Sequence, residues 1–400
     1  MEDLLICTNC KEGYNKETVD FRCQLCGEPL DVKEIKEGTI KEGNPLKQSI
    51  LDRYQDFYPY LSKANTLSLG EGFTPLVSSQ SLAKEYGVSG LYFKDESSNP
   101  TWSFKDRGTI TGIIRAKDLG YFKIGTVSTG NMATSVAAYG ARAGLETYIL
   151  VKKDMAEEKL KPISIYNPHL IRVDGDYGKL YYESLKLGHE NQIYFINSDS
   201  PFRVEGYKTI AFEIAEQLDF MPPDYLIVPT SAGGNFRGIE KGFRELKNVG
   251  IIDRLPKMVA VQATGCCPIY TAYKAGKEKI TRFERPKTIA QAIENPYPPS
   301  GNQVLRLIKD GRGLALSVTD EEIIRAQARL ASIGIFGQVA SATSLAAVEK
   351  LRENNILKAT DKVVAIITAS GLKYTAALDK HSLKMETCKM EDLGQYIKSR

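Results

Sequence analysis

The chain has 400 residues with 53 basic and 49 acidic side chains, a net charge of +4. Such a length fits about two or three domains, and 42% hydrophobic with 26% charged residues excludes long disorder. The near-balance of charge argues against nucleic acid as the main partner. No apolar run approaches membrane-spanning length, and Glu2 and Asp3 stand where a secretory leader would be basic. The expectation is a soluble cytoplasmic enzyme or large binding protein without a membrane or nucleic-acid partner.

The first feature along the chain is a pair of C-x2-C motifs, Cys7-Thr-Asn-Cys10 and Cys23-Gln-Leu-Cys26. Each pair can place two thiolates at one edge of a tetrahedron, and together they close a four-sulfur structural zinc site. A segment of about 35 residues has no adequate core, so the metal would supply its folding energy. Residues 1–35 carry four basic and eight acidic side chains, net −4, the wrong sign for a phosphate-neutralising ribbon. A structural or interface role is therefore expected. Cys266, Cys267 and Cys388 lack metal-ligand spacing.

From about residue 89, short apolar runs alternate with amphipathic segments. Leu91–Phe93, Ile124–Ser128, Thr147–Val151, Leu170–Val173, Ile193–Ile196, Tyr225–Val228, Met258–Val261 and Val363–Ile367 predict buried strands. Gly108–Leu119, Thr134–Ala143, Glu205–Leu218 and Glu321–Ser332 predict helices. Strand–helix alternation of this kind predicts an α/β fold, with parallel sheets covered by helices on both faces. Ligands in such folds sit beyond the carboxyl ends of the strands.

Three loops at such ends carry candidate chemistry. In Asn99-Pro-Thr-Trp-Ser-Phe-Lys105-Asp106-Arg-Gly108, a lysine opens a helix, where a free ammonium opposes the macrodipole unless it is neutralised or covalently engaged. Ser128-Thr129-Gly130-Asn131 is a small polar turn into a helix, suited to a carboxylate or phosphate. In Thr230-Ser231-Ala232-Gly233-Gly234-Asn235, adjacent glycines let the backbone approach a phosphate. Gly233 and Gly238 have the outer spacing of a P-loop, but Ile239-Glu240 replaces its Lys-Ser/Thr pair, and G-x-G-x-x-G is missing. ATP and NAD are disfavoured.

Taken in order, these loops resemble the fold-type II pyridoxal-phosphate enzymes, and most closely the threonine synthase family. The match runs from roughly Leu69 to Tyr374 and includes Leu69-Gly-Glu-Gly-Phe-Thr-Pro-Leu76, Asn99–Gly108 and Ser128–Asn131. It continues through Asn197-Ser198 with Arg203-Val-Glu-Gly206, Gln262–Pro268 and Thr368-Ala-Ser-Gly-Leu-Lys373. The resemblance implies two parallel-sheet domains of the tryptophan synthase beta-like kind, preceded by a zinc ribbon. The implied boundaries are 1–35 for the ribbon, 36–116 with 208–380 for the large cofactor domain, 117–207 for the small gating domain, and 381–400 for a tail. A homodimer is expected.

The same resemblance implies roles. Lys105 would hold pyridoxal 5'-phosphate as a Schiff base and later shuttle protons. Asn131 would bond the cofactor's ring hydroxyl, Ser231, Ala232, Gly233, Gly234 and Asn235 would cradle its phosphate, and Thr368 would meet the pyridine nitrogen. Ser128, Thr129 and Asn131 would grip the substrate carboxylate, and Asn197, Ser198 and Arg203 the substrate phosphate. The implied lyase reaction takes O-phospho-L-homoserine and water to L-threonine and phosphate. A related reaction on O-phosphoserine, a serine/threonine dehydratase and a catalytically silent regulator are the alternatives.

Three departures from the family pattern carry expectations of their own. Trp102 stands at a usual glycine position, which puts an indole near the site. Met132 replaces a threonine hydroxyl, which predicts weaker phosphate binding, and Gly233-Gly234 predicts a looser cofactor-phosphate loop.

Overall fold

The computed structural model describes residues 3–44, 47–62, 66–128, 130–175, 177–382 and 386–399. Its strands run in chain order as β1 (Leu5–Cys7), β2 (Gly13–Tyr14), β3 (Leu30–Val32), β4 (Leu76–Ser78), β5 (Gly90–Asp95), β6 (Lys123–Val127) and β7 (Glu146–Lys152). They continue as β8 (His169–Val173), β9 (Ile193–Phe195), β10 (Tyr225–Pro229), β11 (Lys257–Ala263), β12 (Leu314–Val318) and β13 (Lys362–Ile367).

Three sheets result. The largest has the order β12-β11-β10-β13-β5-β4, parallel except for β4, which runs antiparallel to β5 at the edge. Its central strands are apolar along their length because helices cover both faces, as buried parallel strands require. The second sheet, β8-β7-β6-β9, is parallel throughout, and the third, β2-β1-β3, is a small antiparallel ribbon. Every strand expected from the sequence is present; β4, β12 and the ribbon strands are additional.

Two expected domain boundaries cut through helices. The 116/117 boundary falls inside the helix Lys105–Asp118, whose Ile110, Ile113 and Ile114 join the apolar cluster under the four-stranded sheet. The 207/208 boundary falls inside the helix Pro201–Gln217, which is buried along nearly its whole length. These two helices cross closely. A Cβ at Gly206 would lie 2.0 Å from the Arg107 carbonyl oxygen, and one at Gly108 would lie 2.6 Å from that of Arg203. Only glycine fits at this crossing, and it brings the starts of both helices, with Lys105 and Arg203, to one place.

Beneath that crossing lies a buried ionic layer. Arg107 donates to both oxygens of Glu96 (2.6 and 2.8 Å) and of Glu213 (2.6 and 2.8 Å), and to the hydroxyls of Thr209 and Thr74. Lys94 shares Glu213 and also reaches the Thr74 carbonyl and Gln217. Among the described residues, no helix is long and apolar enough to cross a membrane.

Candidate active site

The loops after β5, β13, β10, β6 and β9 hold most of the candidate residues. The loop after β5 is pinned to the one after β13: Phe104 N–H donates to the Thr368 carbonyl at 3.1 Å, and Ser370 N–H to the Trp102 carbonyl at 3.1 Å. Asp106 locks the turn from inside, accepting from Thr101 N–H (2.7 Å), the Thr101 hydroxyl (2.6 Å) and the Ser135 hydroxyl (2.6 Å). Burial pushes its carboxyl above the usual range, against those donors.

Lys105 opens its helix with no such bonds. Its Nζ lies 4.2 Å from the centroid of the Phe104 ring. Burial first, and the charge of Arg203 second, push its ammonium down to about 7. Arg203 is fully buried; its Nε donates to the Tyr207 hydroxyl at 2.8 Å and its Nη2 to the Lys105 carbonyl at 3.4 Å, while Nη1 has no partner. A buried guanidinium N–H left unpaired is costly, so the atom is poised for an anionic ligand.

The loop after β10 forms the second cradle. Gly233 has φ +96° and caps the helix Gly234–Asn248 without a side chain, leaving the helix N-terminus open for an anion. A Cβ on Gly233 would lie 2.9 Å from Ser300 Cβ, and one on Gly234 would lie 2.6 Å from the Ser198 carbonyl oxygen. The two glycines therefore make a tightly packed turn, not the looser one expected. Ser300 N–H donates to the Ala232 carbonyl at 3.0 Å, and Ser231 is half-buried beside it. Asn235 is buried with both amide atoms unpartnered.

Other candidates are already engaged. Asn131 opens the helix Asn131–Ala143 and donates to Gln338 at 3.0 Å, and Thr368 pairs with the Ser341 hydroxyl at 3.0 Å. Asn197 accepts from Val127 N–H at 3.0 Å and donates to Ser184 at 3.1 Å, which ties β6 to the loop after β9. These bonds leave one amide N–H of Asn197 over, and Ser198 presents its carbonyl to Gly234. Ser128 lies half-buried at the end of β6, and Thr129 lies outside the described residues.

Of the two side-chain departures, one is half-exposed and the other lies in the core. Trp102 has φ +62°, the backbone shape glycine would adopt, and its indole is 51% exposed. Met132 is 7% exposed within the apolar cluster of the four-stranded sheet. A helical residue next to Asn131 is turned by about 100° from it, so Met132 faces the core. The expectation that it removes a phosphate donor is corrected accordingly. Gln338, Ser341, Ser300 and Lys373, which donates to the Thr101 carbonyl at 2.6 Å, were not singled out from the sequence.

In the ribbon, the sulfurs of Cys7, Cys10, Cys23 and Cys26 lie within 4.8 Å of one another, and all four thiols are free. Cys7 and Cys26 are 3.4 Å apart, Cys10 and Cys23 3.5 Å. Four sulfurs at such spacing suit a tetrahedral soft-metal centre.

The sequence pattern of the family described as pyridoxal-phosphate dependent enzyme matches residues 67–369. The chain belongs to that family. Among pyridoxal-phosphate dependent enzymes, it is 39% identical to the threonine synthase of Methanocaldococcus jannaschii, with 98% of each chain covered. It is 38% identical to that of Methanosarcina acetivorans, over 92% of each. The structure of maize serine racemase superposes with a TM-score of 0.65 at 22% identity, covering 82% of this chain and 92% of that one. The fold is therefore the one shared by these cofactor-dependent enzymes.

The unpartnered atoms fit the family's cofactor. Pyridoxal phosphate needs an unprotonated amine and an anion cradle, and the desolvated Lys105 with the open turn Ser231–Asn235 offers both.

Proposed function

We propose that this chain is a lyase that converts O-phospho-L-homoserine and water to L-threonine and phosphate. Full-length likeness to proteins named threonine synthase supports the reaction. The observation that carries the reading is the pair Lys105 and Arg203, a desolvated amine beside a buried guanidinium with a free N–H. Lys105 holds the cofactor covalently, Ser231–Asn235 take its phosphate, and Thr368 and Asn131 border its ring. When bound, pyridoxal phosphate supplies an electron sink for charge developing at the substrate's Cα.

The chain's own residues do the rest. Lys105 Nζ, desolvated and near neutrality, relays protons one at a time: it takes one from Cα and one from Cβ, and returns one to Cγ after phosphate leaves and one to Cα after water has added its hydroxyl at Cβ. Arg203 stabilises the phosphate that departs from Cγ, because its fork can bind two oxygens of a dianion. Ser128, Thr129 and Asn131 hold the substrate carboxylate at the N-terminus of the helix Asn131–Ala143. In the ribbon, Cys7, Cys10, Cys23 and Cys26 hold one zinc ion as a structural centre.

The test is phosphate release compared across O-phospho-L-homoserine, O-phospho-L-serine and, for ammonia release, L-threonine. The reading requires the first to be preferred and L-threonine to appear with the phosphate. Preference for O-phospho-L-serine or for deamination would replace it by a β-replacement enzyme or a dehydratase.

A further inference from the structure

Arg22, in the ribbon and adjacent to Cys23, reaches out of the ribbon to both candidate phosphate sites. Its Nη2 donates to Asp199 Oδ2 at 2.8 Å and to the Pro299 carbonyl at 2.8 Å, while Nη1 donates to the ribbon's own Gly27 carbonyl at 3.0 Å. Asp199 is fully buried and also accepts from the Tyr181 hydroxyl. It lies between Ser198, whose carbonyl abuts Gly234, and the helix Pro201–Gln217 that carries Arg203.

Pro299 precedes Ser300, the residue that holds the Ala232 carbonyl and fills the space beside Gly233. A second bridge runs in parallel. Arg237, on the helix that starts at Gly234, donates to the Ser300 hydroxyl at 2.8 Å and to the ribbon's Leu30 carbonyl (2.9 Å) and Asp31 (3.1 Å). Glu28 of the ribbon accepts from Arg306 and Asn302 on the helix Gly301–Asp310. Two of the ribbon's carboxylates, Glu28 and Asp31, are thus engaged in docking.

We propose that Arg22 is a positioning residue for phosphate recognition, fixing the Ser198–Arg203 turn and the Ala232–Asn235 turn at one spacing from the ribbon. The proposal rests on the reading of those turns as the substrate-phosphate and cofactor-phosphate sites. An anion held by several donors loses affinity when one donor-bearing segment must be ordered as it binds. A segment with the Asp199 pair intact is ordered beforehand. Removing Arg22 leaves the Asp199 carboxylate buried with only the Tyr181 hydroxyl opposite it, so the turn must shift or admit water.

The test uses the holoenzyme and the variants Arg22→Gln, Asp199→Asn, the double substitution and Arg203→Ala. The readouts are calorimetric titration of inorganic phosphate, KM and kcat for O-phospho-L-homoserine, and zinc content. Arg22→Gln is expected to raise KM and the phosphate Kd about tenfold with kcat within about twofold, because positioning is lost and not chemistry. Zinc content should remain at the wild-type value, and the double substitution should be no worse than the poorer single one.

Unchanged phosphate affinity in Arg22→Gln, with affinity weakened in Arg203→Ala, overturns the proposal alone. Unchanged affinity in both variants overturns the phosphate reading and the proposal with it. Loss of zinc from Arg22→Gln would assign the effect to ribbon folding and also overturn it. If Arg22→Gln does not fold, Asp199→Asn, which keeps the shape of the side chain, must show the weakened phosphate binding by itself; wild-type affinity there overturns the proposal.

Discussion

The ionic layer around Arg107 and the pocket around Lys105 are neighbours built from the same residue types to opposite ends. In the layer, Lys94 and Arg107 face Glu96 and Glu213, and both cations are fully bonded. In the pocket, Lys105 Nζ has only an aromatic ring beside it, and Arg203 keeps one N–H unpaired. Buried charge with matched geometry is support, because its desolvation cost is already offset within the fold. Buried charge without a partner holds its stabilisation back until a ligand arrives. The layer therefore keeps the crossing of the Lys105 and Arg203 helices rigid, so that the pocket can remain unsatisfied.

Substitutions on the two sides should separate cleanly. Lys105→Ala should lower kcat by at least about a thousandfold, since both cofactor attachment and proton transfer are lost. Its melting temperature should stay close to wild type, because no bonded partner is abandoned. Borohydride reduction of the wild-type holoenzyme followed by peptide mapping should label Lys105, and a label on another lysine would refute the assignment. Arg107→Leu should do the reverse, leaving two buried carboxylates short of partners at a stability cost of about 3–5 kcal/mol. A urea midpoint unchanged by Arg107→Leu would break the contrast between the two regions.

Smaller effects refine it. Arg203→Ala should raise KM for the phosphorylated substrate about tenfold to a hundredfold, the value of charge-assisted bonds to an anion. It should also erase the preference for phosphorylated over free amino acid. With its ammonium pushed down to about 7, Lys105 is unprotonated above that pH and protonated below it. Cofactor capture by stripped protein, followed by absorbance, should be flat above about pH 8 and fall about tenfold per pH unit below 7. A profile that keeps rising towards pH 10 would mean the lysine is solvated. Met132→Thr should destabilise the four-stranded layer by about 1–3 kcal/mol without lowering KM, because the new hydroxyl would enter the apolar cluster.

The sequence reveals what is local and hides what is assembled. Parallel strands such as Val363–Ile367 are legible because burial on both faces leaves an unbroken apolar run. β12 and β4 are not among the strands read from the sequence, and they form the two edges of the largest sheet. The three loops are legible because strand ends, glycines and a helix-opening lysine are neighbours in sequence. The ionic layer is not: Arg107 meets Glu213 across 106 positions, and no periodicity announces such a pair. The structural bonds of Asn197 are hidden for a related reason, because Val127 and Ser184 come within its reach only once β6 and β9 are side by side. Met132 misleads because adjacency in sequence becomes a turn of about 100° on a helix.

Trp102 has a consequence for how this molecule can be observed. It is the only tryptophan in the chain, half in solvent, on the turn that carries Lys105. Indole emission overlaps the absorption of a pyridoxal chromophore, so a cofactor on Lys105 would drain light from a single emitter a few residues away. Ultraviolet fluorescence of the unlabelled protein is thus a one-site optical gauge of loading. Because the emitter is part of the chain itself, reading that gauge adds no label to the pocket.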